Sequence, residues 1–191
     1  MYGLAGERRL SELEPEWLPG YKGAAPVRIG NAAYHQCQLD VYGEMMDLLY
    51  VAARLGLKPD DDAWRLQRGL LDFLASAWRQ PDEGMWEIRG PRRHFTHSKV
   101  MAWVAVDRVI KAVEHFGVEG PGERWRQLRD IVHAGVCQRG FDAGRNTFVQ
   151  YYEGKALDAS LLMIPTGGLP APKRCAGARH RGGDHTASDG R

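Results

Sequence analysis

The sequence predicts an all-α protein, an array of antiparallel helices joined by short loops and followed by an unstructured tail. Three observations carry that reading. Apolar residues recur at three- and four-residue intervals over stretches of helical length. Pro- and Gly-rich segments such as "LPGYKG" and "GVEGPGE" punctuate those stretches. From Thr166 onward large apolar residues nearly vanish, so the chain there cannot bury enough surface to offset its conformational entropy.

The elements follow in order. Residues 1–30 are turn-rich. Asn31 is a capping residue, and Leu39, Met46, Leu49 and Ala53 lie at helical spacing, which predicts a first helix from Asn31 to about residue 55, ended by Gly56. Asp40, Glu44 and Asp47 form a separate acidic stripe on it. Asp60, Asp61 and Asp62 place negative charge at the next N-terminus, where the helix dipole favours it. That second helix runs to about Arg79, with Trp64, Leu71, Leu74 and Trp78 on its apolar side. A third begins at Thr96 or Ser98 and carries Val100, Trp103, Val104, Val106 and Ile110 to about Phe116. A fourth covers about 123–138 and a short fifth about 156–164, while "TFVQYYEG" between them reads as extended or loop. No fixed-period repeat is present.

The 191 residues suffice for one compact domain, expected over 1–165. The formal net charge is +2, but the last 26 residues hold five basic residues against two acidic ones, so the body is near neutral. That excludes the basic face that nucleic acid requires. Cys37, Cys137 and Cys175 are widely spaced without a CxxC, which is neither a disulfide framework nor a zinc site. There is no apolar signal-peptide core and no membrane-spanning run, so a cytoplasmic location without membrane contact is expected. The tail, 166–191, is basic and rich in Gly, Ala and Arg. It follows the apolar "ALDASLLMIP" abruptly, as if a coding frame were lost near residue 165, and a natural tail is the other reading.

The stretch "PDEGMWEIRGPRRHFTHSK" (81–99) breaks the helical pattern with a polar, ring-bearing loop. Glu87 follows Trp86, and an indole wall that excludes water holds a proton on a carboxyl near neutral pH, as a general acid needs. A nearby cation would work against this, so Arg89 is better placed on substrate hydroxyls than on Glu87. The bland alternative is a surface glutamate beside a core tryptophan. The acidic stripe could bind hydroxyls or be a solvated face. His94 and His97 have no third partner at ligand spacing, so no metal is expected. Arg92, Arg93 and Lys99 read as a solvated loop or an anion site, and Glu153 is a further carboxylate. No dinucleotide fingerprint, phosphate loop or nucleophile elbow occurs, and no cofactor is expected.

Three long strings, "YGLAGERRLSELEPEWLPGYKGAAPVRIGNAAYHQCQLDVYGEMMD", "DEGMWEIRGPRRHFTHSKVMAWVAVDR" and "FVQYYEGKALDASLLMIP", together resemble glycoside hydrolase family 15, the glucoamylase-like and bacterial trehalase-like enzymes. They stand in the family's order and cover nearly all of residues 2–165. The resemblance implies an (α/α)6 barrel, here a partial one, and hydrolysis of α-glucosidic bonds with inversion. It assigns the general acid to Glu87. It places Trp86 against the sugar, with the backbone of Met85 facing it. Arg28 and Asp40 look placed for subsite hydroxyls, with Arg89 and Lys99 as further contacts. Both trehalose and glucose-containing oligosaccharides remain open as substrates.

The chain also departs from the family. The resemblance places the general base on a later segment, and nothing in the tail is similar to it. The family's N-terminal β-rich domain and opening barrel helices have no counterpart either. The expectation is a middle slice of the catalytic domain with little or no activity alone. Its uncovered helix faces would favour self-association. A non-catalytic helical interaction module, or a fragment complementing a second polypeptide, is the alternative.

Overall fold

The computed structural model describes residues 4–7, 11–57 and 59–170. The chain divides into two compact units, 1–37 and 38–191. The tail expected to be unstructured from residue 166 is ordered at its start, where Thr166 and Gly167 end a 3-10 helix and Leu169 is buried, and beyond Pro170 that expectation lies outside the described residues.

The first unit is held by turns rather than by a core. Leu13 and Ile29 form an antiparallel bridge, with N–H···O distances of 2.8 and 2.9 Å. Glu12 accepts from the backbone N–H of Ala32 at 3.1 Å. Asn31 does cap a helix, accepting from the N–H of Ala33 at 2.8 Å, but it is a single 3-10 turn, Ala32–His35.

The second unit is all-α in its long elements: α1 (Asp40–Arg54), α2 (Asp61–Ala77), α3 (Thr96–Phe116) and α4 (Gly122–Arg139). The first helix therefore starts at Asp40 and not at Asn31. Gln36 is extended (φ −77°, ψ 147°), and the N–H of Leu39 is taken at 3.2 Å by the carboxylate of Asp82, which lies far along the chain. Asp60 caps α2 as its charge predicts, accepting from Ala63 N–H at 2.8 Å. The ambiguous "TFVQYYEG" is part strand and part loop: β2 (Thr147–Phe148) pairs antiparallel with β1 (Phe141–Asp142). The fifth helix is a 3-10 helix, Ala159–Gly167, shifted from 156–164 because the carbonyl of Ala156 accepts from Gln150 N–H and Asp158 caps the turn.

Helix α3 is the centre of the unit, packed against α1, α4 and the 3-10 helix. Val100, Trp103, Val104, Val106 and Ile110 are all buried, as are Trp64, Leu71, Leu74 and Trp78 of the second-helix stripe. A helix buried on nearly every side needs apolar residues all round, which "VMAWVAV" and "VI" supply, and the buried Asp107 and Arg108 between them are paired with each other. Helices α1 and α3 touch backbone to backbone at Gly43, where a Cβ would meet the carbonyl oxygen of Met101 at 2.2 Å. Arg108 fastens three elements. Its guanidinium holds Asp47 of α1, its neighbour Asp107 (2.6 Å) and the carbonyl of Gly167 (3.1 Å). Across α2 and α4, Trp64 meets Trp125 edge to face at 6.2 Å and donates to Glu119 O at 2.8 Å. The outer face of α1 is uncovered: Val41, Met45, Leu48, Val51 and Leu55 are exposed. Among the described residues no helix is long and apolar enough to cross a membrane.

Candidate active site

The loop between α2 and α3 is closed at its neck by a bridge between Asp82 and Arg93, with N–H···O distances of 2.9 and 3.0 Å. Within the neck the chain turns tightly: Glu87 N–H reaches Gly84 O at 3.2 Å and Ile88 N–H reaches Glu83 O at 3.3 Å. Gly84 is required there. Its φ is +68°, and a Cβ would stand 2.8 Å from the ring of Phe95. Glu87 then takes a left-handed conformation, φ 51°, which a non-glycine residue rarely adopts. Such backbone persists only where surrounding contacts over-determine it, and it clusters at functional sites. Arg92 braces the turn from outside through Glu83 at 2.8 Å.

Trp86 precedes Glu87 and is 53% exposed, so the indole is not a core ring. Its Nε1–H donates to both carboxylate oxygens of Asp158, at 2.9 and 3.1 Å. Asp158 also accepts from Ser160 N–H at 2.8 Å and from the Gln150 amide at 3.1 Å. Partial burial pushes the Asp158 carboxyl up, but the hydrogen bonds from Ser160, Trp86 and Gln150 outweigh it and hold it below the usual carboxylate range. A second seam brings these two loops together: Thr96 N–H to Gln150 O and Tyr152 N–H to His94 O, both 2.9 Å.

Beneath the turn lies a buried polar layer. Asp82 is fully buried, accepts from Leu39 N–H and lies near the Lys99 ammonium. Burial raises its carboxyl, and Ser98 and Lys99 oppose that only in part. Asp40, at the first turn of α1, is 4% exposed, and its carboxyl is pushed up to about 6 by burial, with the Asp82 and Glu44 charges adding to it. His97 is likewise buried, and burial lowers its ring although Glu44, Asp158 and Asp82 pull the other way. The amide of Gln38 reaches Gly84 O at 3.4 Å, which ties the lead-in of α1 to the turn.

The sequence-predicted residues thus fall into three groups. Met85, Trp86, Glu87 and the exposed Arg89 share the turn, and Asp40 sits in the layer with Asp82. Lys99 is fully buried, with its ammonium on the carbonyl of Gln80, and so does not present it to a ligand at the surface. Arg28 belongs to the first unit, where it bridges Glu12 (3.2 Å) and Glu14 (2.8 Å). Of the other carboxylates, Glu153 is exposed and paired with Arg139 at 3.0 Å. Sequence reasoning missed Asp158 and Asp82, and considered His97 only as a metal ligand. Asp158 carried one local signal, an Asp two residues before a serine at a helix start. Nothing local announces its bond to Trp86.

The family model for Glycosyl hydrolases family 15 matches residues 1–186. A trehalase of Mycobacterium tuberculosis is 43% identical over 164 residues, which is 86% of this chain and 24% of the relative. A trehalase of Mycolicibacterium smegmatis is 42% identical over 172 residues, 90% of this chain and 26% of the relative. The chain therefore spans about a quarter of the length of the curated relatives it matches. A solved glycosidase variant in complex with glucose shares the fold with a TM-score of 0.59 at 21% identity, covering 84% of this chain and 46% of that one.

Proposed function

This chain belongs to glycosyl hydrolases family 15, and from that premise we propose that it is the acid-bearing segment of a glycosidase cleaving α-glucosidic bonds. Glu87 gives its proton to the glycosidic oxygen as the carbon–oxygen bond breaks, so that the leaving sugar departs as a neutral alcohol. Trp86 lies against the glucose ring, the backbone of Met85 faces it, and Arg89 takes its hydroxyls, while the buried Asp40 keeps only the role that family resemblance assigns. Arg28 keeps only the role that family resemblance assigns. Lys99 acts from below, as the countercharge that holds the loop. Trehalose is the favoured substrate because the curated relatives are trehalases, and maltooligosaccharides are the comparison.

The observation that carries this reading is the set of groups around Glu87. A glutamate at φ 51°, a conformation that Lys22, Asn146 and Glu153 also adopt, here follows an indole anchored by a carboxylate, in a loop whose neck is closed over buried polar groups. Inversion needs a second carboxylate roughly 6.5–9.5 Å from the first to activate water on the opposite face. We assign that base to no residue of this chain, and propose that the polypeptide by itself turns over little.

Calorimetry with glucose, alongside glucose release from trehalose and maltooligosaccharides, tests this. Wild type and Glu87→Gln should both bind glucose, Trp86→Ala should bind it more weakly, and release should be slight. Absence of glucose binding would leave a helical interaction module as the better description. Robust release abolished by Glu87→Gln would support the acid and overturn the claim about the base. One observation favours an added role in association: the exposed stripe from Val41 to Leu55 is the face a further helix would cover. Sedimentation of the wild type against Leu48→Glu should show self-association reduced in the variant.

A further inference from the structure

We propose that Asp158 is the positioning residue of the acid loop, setting the orientation of Trp86 and, through the adjoining peptide, of Glu87. The inference rests on the functional reading above and adds to it a residue 72 positions away in the chain. Three facts support it. The indole is 53% exposed, so packing alone does not lock its rotamer, and the polar contact that fixes it is the one to Asp158. The carboxylate is itself immobilised from two other directions, by Ser160 N–H at the start of the 3-10 helix and by the Gln150 amide. Gln150 in turn is tied by its backbone carbonyl to Thr96 N–H, the first residue of α3. One carboxylate thus joins the acid loop, the 3-10 helix and the base of α3. A side chain that only capped the 3-10 helix would need Ser160 and not the indole.

The test uses the whole chain. The Trp86 indole N–H resonance is identified by its loss in Trp86→Phe, and then followed in Asp158→Leu and Asp158→Asn, with glucose as the probe ligand. The expected result for Asp158→Leu is an upfield-shifted, unprotected Trp86 indole and a loss of glucose affinity of about tenfold, the worth of one charge-assisted hydrogen bond. Asp158→Asn keeps the shape and one acceptor, and should recover part of both, which also keeps the test open should the leucine variant fail to fold. Gln150→Leu serves as a control that loosens Asp158 without removing its bond to the indole, and should change the resonance less. An indole resonance and glucose affinity unchanged in folded Asp158 variants would overturn the proposal. If wild type binds no glucose, the sugar reading falls by itself, and the indole resonance still decides whether Asp158 orients Trp86.

Discussion

Helix α3 and the loop 82–93 that leads into it are both partly withdrawn from water, by different means. In α3, Val100, Val104, Val106 and Ile110 meet other apolar side chains, and the backbone is satisfied within the helix. In the loop, Asp82 and Glu83 are buried, and every turn depends on a specific polar partner: Arg93, Leu39 N–H, Lys99, Arg92. Apolar packing is non-directional and tolerates small shifts, whereas charge-assisted hydrogen bonds fix angles and positions. A loop with the proposed task of holding one carboxyl and one indole in place gains from the second kind of cohesion, at the cost of burying charge.

The comparison can be broken most sharply at Lys99. Lys99→Met leaves Asp82 buried without its countercharge and should cost about 3–5 kcal/mol in urea unfolding. Ile110→Ala, which empties a large apolar site in α3, should cost about 2–5 kcal/mol by cavity formation. A harmless Lys99→Met would mean that charge does not hold the loop.

Next in size is the pH response. The folded Asp40 carboxyl lies at about 6, against 3.8 for the free group. The folded state therefore binds this proton more tightly, and the contribution of Asp40 to stability is greatest below about pH 4 and declines as pH rises to about 6, by up to about 3 kcal/mol, while the lowered His94 and His97 rings contribute in the opposite sense. Asp82 is shifted the same way and adds to the decline. Unfolding measured between those pH values should show this slope in wild type and a shallower one in Asp40→Asn.

Gly84→Ala should cost on the order of 2 kcal/mol, from left-handed strain and the Phe95 ring. Thermal melting should show the loss, and the loop-borne Trp86 should respond more than the α3 core. The smallest effect belongs to a helix end remote from the loop. Asp60→Ala removes the cap on α2 and should lower stability by about 1 kcal/mol.

Much of the fold was legible. The apolar stripe of α2 is buried at all four predicted positions, and α3 begins at Thr96. Three misplacements have one cause. Asn31 caps a 3-10 turn, α1 waits for Asp40, and the last helix shifts to Ala159 because partners elsewhere in the chain, Asp82 and Gln150 among them, claim the intervening backbone groups. In the site, the turn carrying Met85, Trp86, Glu87 and Arg89 could be read from the interrupted pattern and the family resemblance. Lys99 could not be placed, since a lysine three residues into a helix reads as surface until its ammonium is found on Gln80 O.

By itself the sequence determined the all-α class, the extent of the apolar third helix and the loop that bears Glu87, because helical periodicity is written in residues three and four apart. The tertiary structure decided where α1 begins, which way the indole faces and that Lys99 lies inside. Those outcomes hang on hydrogen bonds spanning 43 residues from Leu39 to Asp82 and 72 from Trp86 to Asp158, and no local pattern encodes a partner that only chain folding brings near.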